Sequence, residues 1–139
     1  MELHYETINL TVDEIFPEIN KYTKSSEQKK LSAELGDSPY FYFPALWMLL
    51  NLTLTEKDFN NTLRDRIFTF MEEMAISEDK RVVELVTVEM LEPIFGLDFE
   101  TYQEVTKKFL LSHVKRFIKS KKSFLKSQII YYDLINQLF

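Results

Sequence analysis

The stretch SEDKRVVELVTVEMLEPIFG, residues 77–96, decides the fold. From Val82 onward, apolar side chains fall on most sides of a helical wheel, which is typical of a helix surrounded by other helices. Ser77 is a good N-cap residue, and two carboxylates follow it in the first turn, where the helix dipole favours them. Gly96 suits the C-terminal cap. The stretch therefore predicts a central, buried helix.

Apolar residues at helical spacing also precede this stretch. Residues 40–54 are apolar nearly throughout and predict a buried helix, with a strand as the alternative. Two patterns, Thr11-x-x-Glu14 and Thr55-x-x-Asp58, resemble the capping signal at a helix start. The second comes before an apolar stripe that consists of Phe59, Leu63, Ile67, Phe70, Met71 and Met74.

The C-terminal part continues the helical pattern. Asp98 is expected to cap the next helix, and a broad apolar stripe over residues 102–125 predicts one long helix that bends near Ser127. Residues 23–38 are polar and predict a loop. We therefore expect an all-α fold, a single compact domain over residues 1–139 with about six helices and a long C-terminal helix.

The composition excludes several kinds of chemistry. The chain of 139 residues has no cysteine, which removes disulfides, thiolate zinc sites and cysteine nucleophiles. Gly36 and Gly96 are its only glycines, too few for a phosphate-binding glycine loop. His4 and His113 lie far apart, and neither has a metal ligand at a suitable spacing. We expect no catalytic residue, no metal and no cofactor.

The sequence also predicts no contact with a membrane. Glu2 and Glu6 lie where a signal peptide would carry basic residues. The longest apolar run, residues 40–50, is too short to span a bilayer and contains Pro44. We expect a cytoplasmic protein.

The net charge of -5 hides a separation of opposite charges along the chain. Residues 1–104 contain 21 acidic and 9 basic side chains, whereas residues 105–139, the basic C-terminal segment, contain 8 basic and 1 acidic. An acidic corner is predicted between two helices, and it suits either plain solvation or a basic partner surface. Its members are Glu72, Glu73, Glu78 and Asp79.

Glu89 is the carboxylate that interrupts an apolar face. On a helical wheel it falls between Leu85 and Val82. A buried carboxylate needs a cation or hydrogen-bond donors, since its pKa otherwise rises. We expect an ion pair with Arg64 or Arg66, or partial exposure; the alternatives are partner binding and catalysis.

A lysine stripe marks the basic C-terminal segment. On one continuous helix its lysines share a narrow arc away from the apolar stripe, and they are Lys108, Lys115, Lys119, Lys122 and Lys126. Three interpretations stay open: a solvated face that compensates the acidic part, a site for nucleic acid or another polyanion, and a site for an acidic protein patch. No aromatic side chain interleaves the stripe to stack on bases.

Three short stretches carry a resemblance: IFTFMEE at residues 67–73, VVELV at 82–86 and VEMLE at 88–92. With the hydrophobic spacing of residues 40–96, they resemble a family of small all-helical bacterial proteins. The sequences of that family are similar to immunity proteins encoded beside secreted or contact-delivered toxins. The resemblance implies paired helices of the armadillo or HEAT kind, arranged as an α-superhelix.

These observations favour a helical binding protein without catalytic activity. The specific hypothesis is an immunity-type inhibitor that neutralises a bacterial toxin domain, such as a nuclease, through its acidic surface. The alternative is a nucleic-acid or polyanion-binding module that uses the lysine stripe. A helical hydrolase built on Glu89 and Glu92 is disfavoured because no base, nucleophile or metal set accompanies them.

Overall fold

The computed structural model describes residues 2–19, 39–56, 60–112 and 114–116. These residues form six α-helices and no strand, which confirms the all-α prediction: α1 (Ile8–Ile15), α2 (Pro39–Thr55), α3 (Asn61–Ala75), α4 (Lys80–Val86), α5 (Glu92–Phe95) and α6 (Phe99–Glu104). Two short π-helical segments, called π-turns below, follow α4 and α6 and comprise Thr87–Leu91 and Val105–Phe109. Short 3-10 turns flank α1 and comprise Tyr5–Thr7 and Pro17–Ile19.

Helix α2 is central to the packing of the described residues. It contacts α1 on one side and α3 and the π-turn Thr87–Leu91 on others. Its apolar character on several sides is explained by these neighbours, because Phe43, Leu46 and Leu50 are fully buried. One contiguous apolar core extends from Leu3 to Val114. Each fully buried side chain of this size contributes about 1.5–3 kcal/mol through removal from water.

The predicted central helix is buried but not regular. Residues 80–95 form α4, the π-turn Thr87–Leu91 and α5 in succession. Pro93 lies at the start of α5 and has no N–H to donate to the carbonyl of Glu89, so regular α-helical hydrogen bonds could not continue through this point. The π-turn therefore lies where the sequence forces a change of hydrogen-bond register.

Two predicted caps are wrong, for one shared reason. Thr11 lies inside α1 and donates its hydroxyl to the carbonyl of Thr7 at 3.2 Å. Thr55 is the last residue of α2 and donates to the carbonyl of Asn51 at 2.9 Å. Threonine makes this bond to the preceding turn inside a helix as readily as it caps one, and the sequence pattern does not separate the two cases.

Asparagine and aspartate provide the observed caps. The side-chain oxygen of Asn60 accepts the N–H of Leu63 at 3.1 Å and caps α3. Helix α4 is capped by Asp79 and not, as predicted, by Ser77. Asp98 accepts the N–H of Thr101 at 3.1 Å, which confirms the predicted cap of α6.

The predicted long helix over residues 102–125 is interrupted. Leu110 has extended backbone angles, φ -66° and ψ 130°, directly after the π-turn that follows α6. A new helical turn begins at Ser112. Leu110 is only 4% exposed, so its side chain packs into the core at the residue where the helix is interrupted. The remainder of the predicted helix, residues 117–125, and the predicted loop, residues 23–38, lie outside the described residues.

Candidate protein-docking site

The predicted acidic corner surrounds the turn between α3 and α4. The N–H of Ile76 donates to the carbonyl of Glu72 at 3.2 Å and ends α3. Five residues later the N–H of Arg81 donates to Oδ1 of Asp79 at 3.0 Å and starts α4. This short turn places the four carboxylates at one corner, but the structure gives them different surroundings.

Asp79 is engaged inside the protein. Its Oδ2 accepts the backbone N–H of Tyr5 at 3.0 Å, and its Oδ1 accepts Nε of Arg81 at 3.2 Å. The hydrogen bond from Tyr5, followed by that from Arg81, lowers the pKa of Asp79 to about 2. Arg81 also pairs with Glu6. Asp79 therefore joins the N-terminal segment to the corner.

Glu72 is also engaged inside the protein. Its Oε2 accepts the backbone N–H of Val114 at 3.0 Å, across a sequence separation of 42 residues. That amide belongs to the first turn of the helix that begins at Ser112, where N–H groups have no partner within the helix. The carboxylate therefore supplies the acceptor that this helix start needs.

The outward part of the corner combines charge with an apolar side chain. Glu78 is exposed and Glu73 is half-buried. Ile76 lies between them in sequence and keeps 48% of its surface exposed. An exposed branched apolar side chain flanked by carboxylates matches the usual interface pattern of an apolar anchor inside a polar rim.

Glu73 also lines an open groove along the outer face of α3. The groove has a volume of about 410 Å³ and a mainly apolar lining. Its lining residues are Ile15, Thr62, Asp65, Arg66, Thr69, Phe70 and Glu73. Phe70 is held from below by an edge-to-face contact with Phe16, with ring centroids 5.5 Å apart.

The guanidinium group in the groove is neutralised by its neighbours. Arg66 pairs with Glu18 at 2.9 Å and donates a second hydrogen bond to the carbonyl of Ile15. Its guanidinium carbon lies 5.3 Å from the ring centre of Phe16, within cation–π range. Arg64 pairs with Asp65 at 3.1 Å. Asp65, Arg66 and Glu73 are the charged side chains of the groove lining, and together they carry a negative formal charge.

Glu89 lies in the π-turn that follows α4 and is half-buried. Burial, together with the nearby charge of Glu92, raises its pKa. The predicted ion pair with Arg64 or Arg66 is wrong, because these arginines pair with Asp65 and Glu18 within the described part of the chain. The predicted alternative of partial exposure describes Glu89 correctly.

The structure describes two members of the lysine stripe. Lys108 is exposed in the π-turn after α6, and Lys115 is half-buried in the helix that begins at Ser112. Because Leu110 breaks the helix between them, the single helical arc that was predicted for both does not exist. Lys119, Lys122 and Lys126 lie outside the described residues.

A second cavity of about 370 Å³ lies between the end of α2, the start of α3 and α6. Arg64 and Phe109 line this cavity, and the guanidinium carbon of Arg64 is 4.1 Å from the ring centre of Phe109. Across residues 2–19, 39–56, 60–112 and 114–116, no three or more His, Asp or Glu side chains form a group suited to a metal ion. Within the same ranges, no helix has the length and apolar character needed to cross a membrane.

Comparison with known families identifies one match. A family described as Domain of unknown function (DUF7674) matches residues 9–126. The chain belongs to the DUF7674 family. No curated protein matches the sequence, and no solved structure matches it.

The DUF7674 match includes most of the docking features described above. Residues 9–126 contain the acidic corner, Ile76 and every residue that lines the groove. The N-terminal contact of Tyr5 with Asp79 comes from outside the matched range. The groove and the corner therefore lie within the part of this chain that matches the family.

Proposed function

We propose that this DUF7674 domain is a non-catalytic protein-binding domain, an immunity-type inhibitor that neutralises a bacterial toxin in the cytoplasm. The observation that carries the proposal is the groove on α3, an apolar surface with carboxylates at its edge that continues to the acidic corner. The stretches at residues 67–73, 82–86 and 88–92 resemble a family of small all-helical bacterial proteins whose sequences are similar to immunity proteins, and this resemblance supports the same function.

The groove supplies the apolar part of such an interface. Its apolar lining comes from Ile15, which is half-buried, and from Phe70, which is only 3% exposed. Thr62 and Thr69 are small enough to let a partner approach α3 closely. The volume of about 410 Å³ is within the range of about 300–1,000 Å³ in which proteins bind ligand groups. We propose that an apolar side chain of the toxin occupies this space.

The charges select the partner. The excess of acidic residues in residues 1–104 attracts a basic surface, such as the substrate-binding groove of a nuclease, and disfavours acidic competitors. Within the corner, we assign Glu73 to the partner because it lines the groove, and Glu78 because it is exposed; Ile76 is the apolar anchor. Glu72 and Asp79 are the structural members, because they already accept hydrogen bonds from Val114 and Tyr5.

The test is co-purification with the toxin domain encoded next to this chain. We expect a complex at micromolar concentration in moderate salt. Glu73→Lys should weaken it at least tenfold, whereas Glu84→Lys, an equal change of charge at an exposed residue of α4, should alter it less than threefold. Equal weakening by both variants would point to general charge attraction, and no complex would contradict the proposal.

A second candidate function rests on the basic C-terminal segment. Lys107, Lys108 and Arg116 are exposed on either side of Leu110, so this region offers several cations to a polyanion. Binding of RNA or DNA should fall steeply with salt and collapse when Lys115, Lys119 and Lys122 are replaced by glutamate. Absent or salt-independent binding would remove this candidate.

A further inference from the structure

The second cavity lies between two helix ends of opposite polarity. Thr55 ends α2 and Asn61 begins α3, and both line the cavity together with residues of α6 and of the π-turn after it. The carbonyl end of a helix carries a partial negative charge, whereas the amide end carries a partial positive charge. The volume of about 370 Å³ is within the range of about 300–1,000 Å³ that is usual for small-molecule sites. The cavity therefore offers a small molecule a negative side and a positive side.

Arg64 strengthens the positive side and is held in place. Its side chain is 18% exposed, and its guanidinium carbon lies 4.1 Å from the ring centre of Phe109, which in turn stacks on Phe68 at 5.7 Å. Nη1 donates to Oδ1 of Asn61 at 3.1 Å, and Nε donates to Oδ1 of Asp65 at 3.1 Å, which Nη2 also contacts. A guanidinium group has five N–H donors. Among the described residues these contacts use one N–H of each nitrogen, so each terminal nitrogen keeps a second N–H for a ligand.

Two carboxylates strengthen the negative side. Glu56 follows the last turn of α2, which contains no basic residue, and Glu104 is the last residue of α6. Both line the cavity and both are exposed. One arginine against two glutamates gives the charged lining a net formal charge of -1. A matching ligand therefore carries a carboxylate for the guanidinium group, ammonium groups for the glutamates, and one excess positive charge.

We propose that this cavity binds a free basic amino acid, lysine or arginine. The carboxylate of the ligand pairs with Arg64, and its cationic groups pair with Glu56 and Glu104. A planar guanidinium group suits a carboxylate because it can donate two parallel N–H groups to it. The cavity shares no lining residue with the groove on α3, so this site is independent of the proposed toxin binding.

Calorimetric titration of the full chain with three probes tests the ligand class. L-Lysine is expected to bind with a Kd of about 1 mM or tighter. Cadaverine is lysine without its carboxylate and should bind at least tenfold more weakly, because the charge-assisted hydrogen bonds to Arg64 are lost. Aminocaproate is lysine without its α-ammonium group and should also bind at least tenfold more weakly. Absent binding of L-lysine, or an analogue that binds as tightly as L-lysine, would overturn the proposal.

Two variants test the position of the ligand. Arg64→Gln should remove the preference for L-lysine over cadaverine, whereas Glu104→Gln should weaken the binding of both at least fivefold. Because Glu104 is exposed, its replacement should leave the fold intact even if the loss of Arg64 does not. Glu100→Gln, an equal change at an exposed residue of α6 outside the cavity lining, should change the affinity less than twofold.

The variants also define the results that would overturn the site. Equal weakening by Glu104→Gln and Glu100→Gln would show general charge attraction in place of a defined site. An unchanged preference for L-lysine in a folded Arg64→Gln protein would overturn the role of Arg64. None of these results depends on whether a toxin complex forms.

Discussion

Replacement of Asn60 by alanine should destabilise the protein, and the same replacement at Thr55 should not. Asn60 accepts the N–H of Leu63 at 3.1 Å and satisfies a donor that α3 cannot satisfy itself. Loss of an N-cap costs about 1 kcal/mol, with a range of about 0.5–2. The exposed hydroxyl of Thr55 only repeats a contact to the preceding turn, so its removal should cost less than about 0.5 kcal/mol.

Urea unfolding distinguishes the two variants. A loss of about 1 kcal/mol divides the folding equilibrium constant by roughly 5. With a denaturant slope of about 1–3 kcal/mol per molar, the midpoint of Asn60→Ala should fall by about 0.3–1 M at an unchanged slope. The sequence pattern Thr55-x-x-Asp58 predicts the opposite, a larger loss of stability in Thr55→Ala than in Asn60→Ala.

A larger loss in Thr55→Ala than in Asn60→Ala would refute the assignment of the cap. It would also mean that α3 starts at a different residue. The side chains of Asp65, Glu72 and Glu73 would then lie on a different face of that helix. The pair of variants therefore tests a local detail on which the position of the docking surface depends.

Three further predictions concern titration and backbone freedom. Hydrogen bonds lower the pKa of Asp79 from its ordinary value of 3.8 to about 2, so its stabilising effect should be lost as pH falls through that window; unfolding midpoints between pH 5 and 2 should drop less in Asp79→Asn than in the unaltered chain. The pKa of Glu89 is raised, so ionisation opposes folding at neutral pH; Glu89→Gln should unfold at higher urea than the unaltered chain at pH 7, a gain that shrinks in acid and whose absence would contradict the burial of this carboxylate. Gly96 has φ -85°, and among the described residues an added Cβ would meet the carbonyl of Pro93 at 3.4 Å, an ordinary contact distance. Gly96→Ala should be neutral or stabilise by up to about 1 kcal/mol in thermal unfolding, and a clear loss would show that this cap needs glycine.

The helices could be predicted because apolar spacing records burial directly. The prediction over residues 40–54 matches α2, Pro39–Thr55, and the prediction at Asp98 matches the cap of α6. Proline cannot continue a helix, and α1 ends at Ile15 before a 3-10 turn starts at Pro17.

The interruptions of the helices could not be predicted from the same signal. An apolar stripe continues in phase through Leu110, although its backbone there is extended. The break depends on where the side chain finds space in the core, which is a property of the packed neighbours. Likewise, a helical wheel with regular α-helical spacing places Glu89 on the buried face. The π-turn changes the angle between successive residues, and Glu89 is half-buried instead.

The docking groove was missed because it has no signature in a single segment. Ile15 comes from α1, whereas Thr62 and Thr69 lie on α3, where they look like an ordinary solvated face. The hydrogen bonds that Glu72 and Asp79 accept could not be predicted either, since the donors Val114 and Tyr5 are 42 and 74 residues away in sequence. Long-range pairing of this kind follows from the fold and from no local pattern.

The most direct test of the docking surface fills the groove. Thr69 is exposed on α3 and lines the groove, so Thr69→Trp should fill the groove without disturbing the core. Glu84→Trp places the same side chain at an exposed residue of α4 as a control. Calorimetric titration with the neighbouring toxin domain should show at least a tenfold weaker complex for Thr69→Trp and unchanged affinity for Glu84→Trp. Unchanged affinity of a folded Thr69→Trp protein would contradict the assignment of this groove as the toxin-binding site.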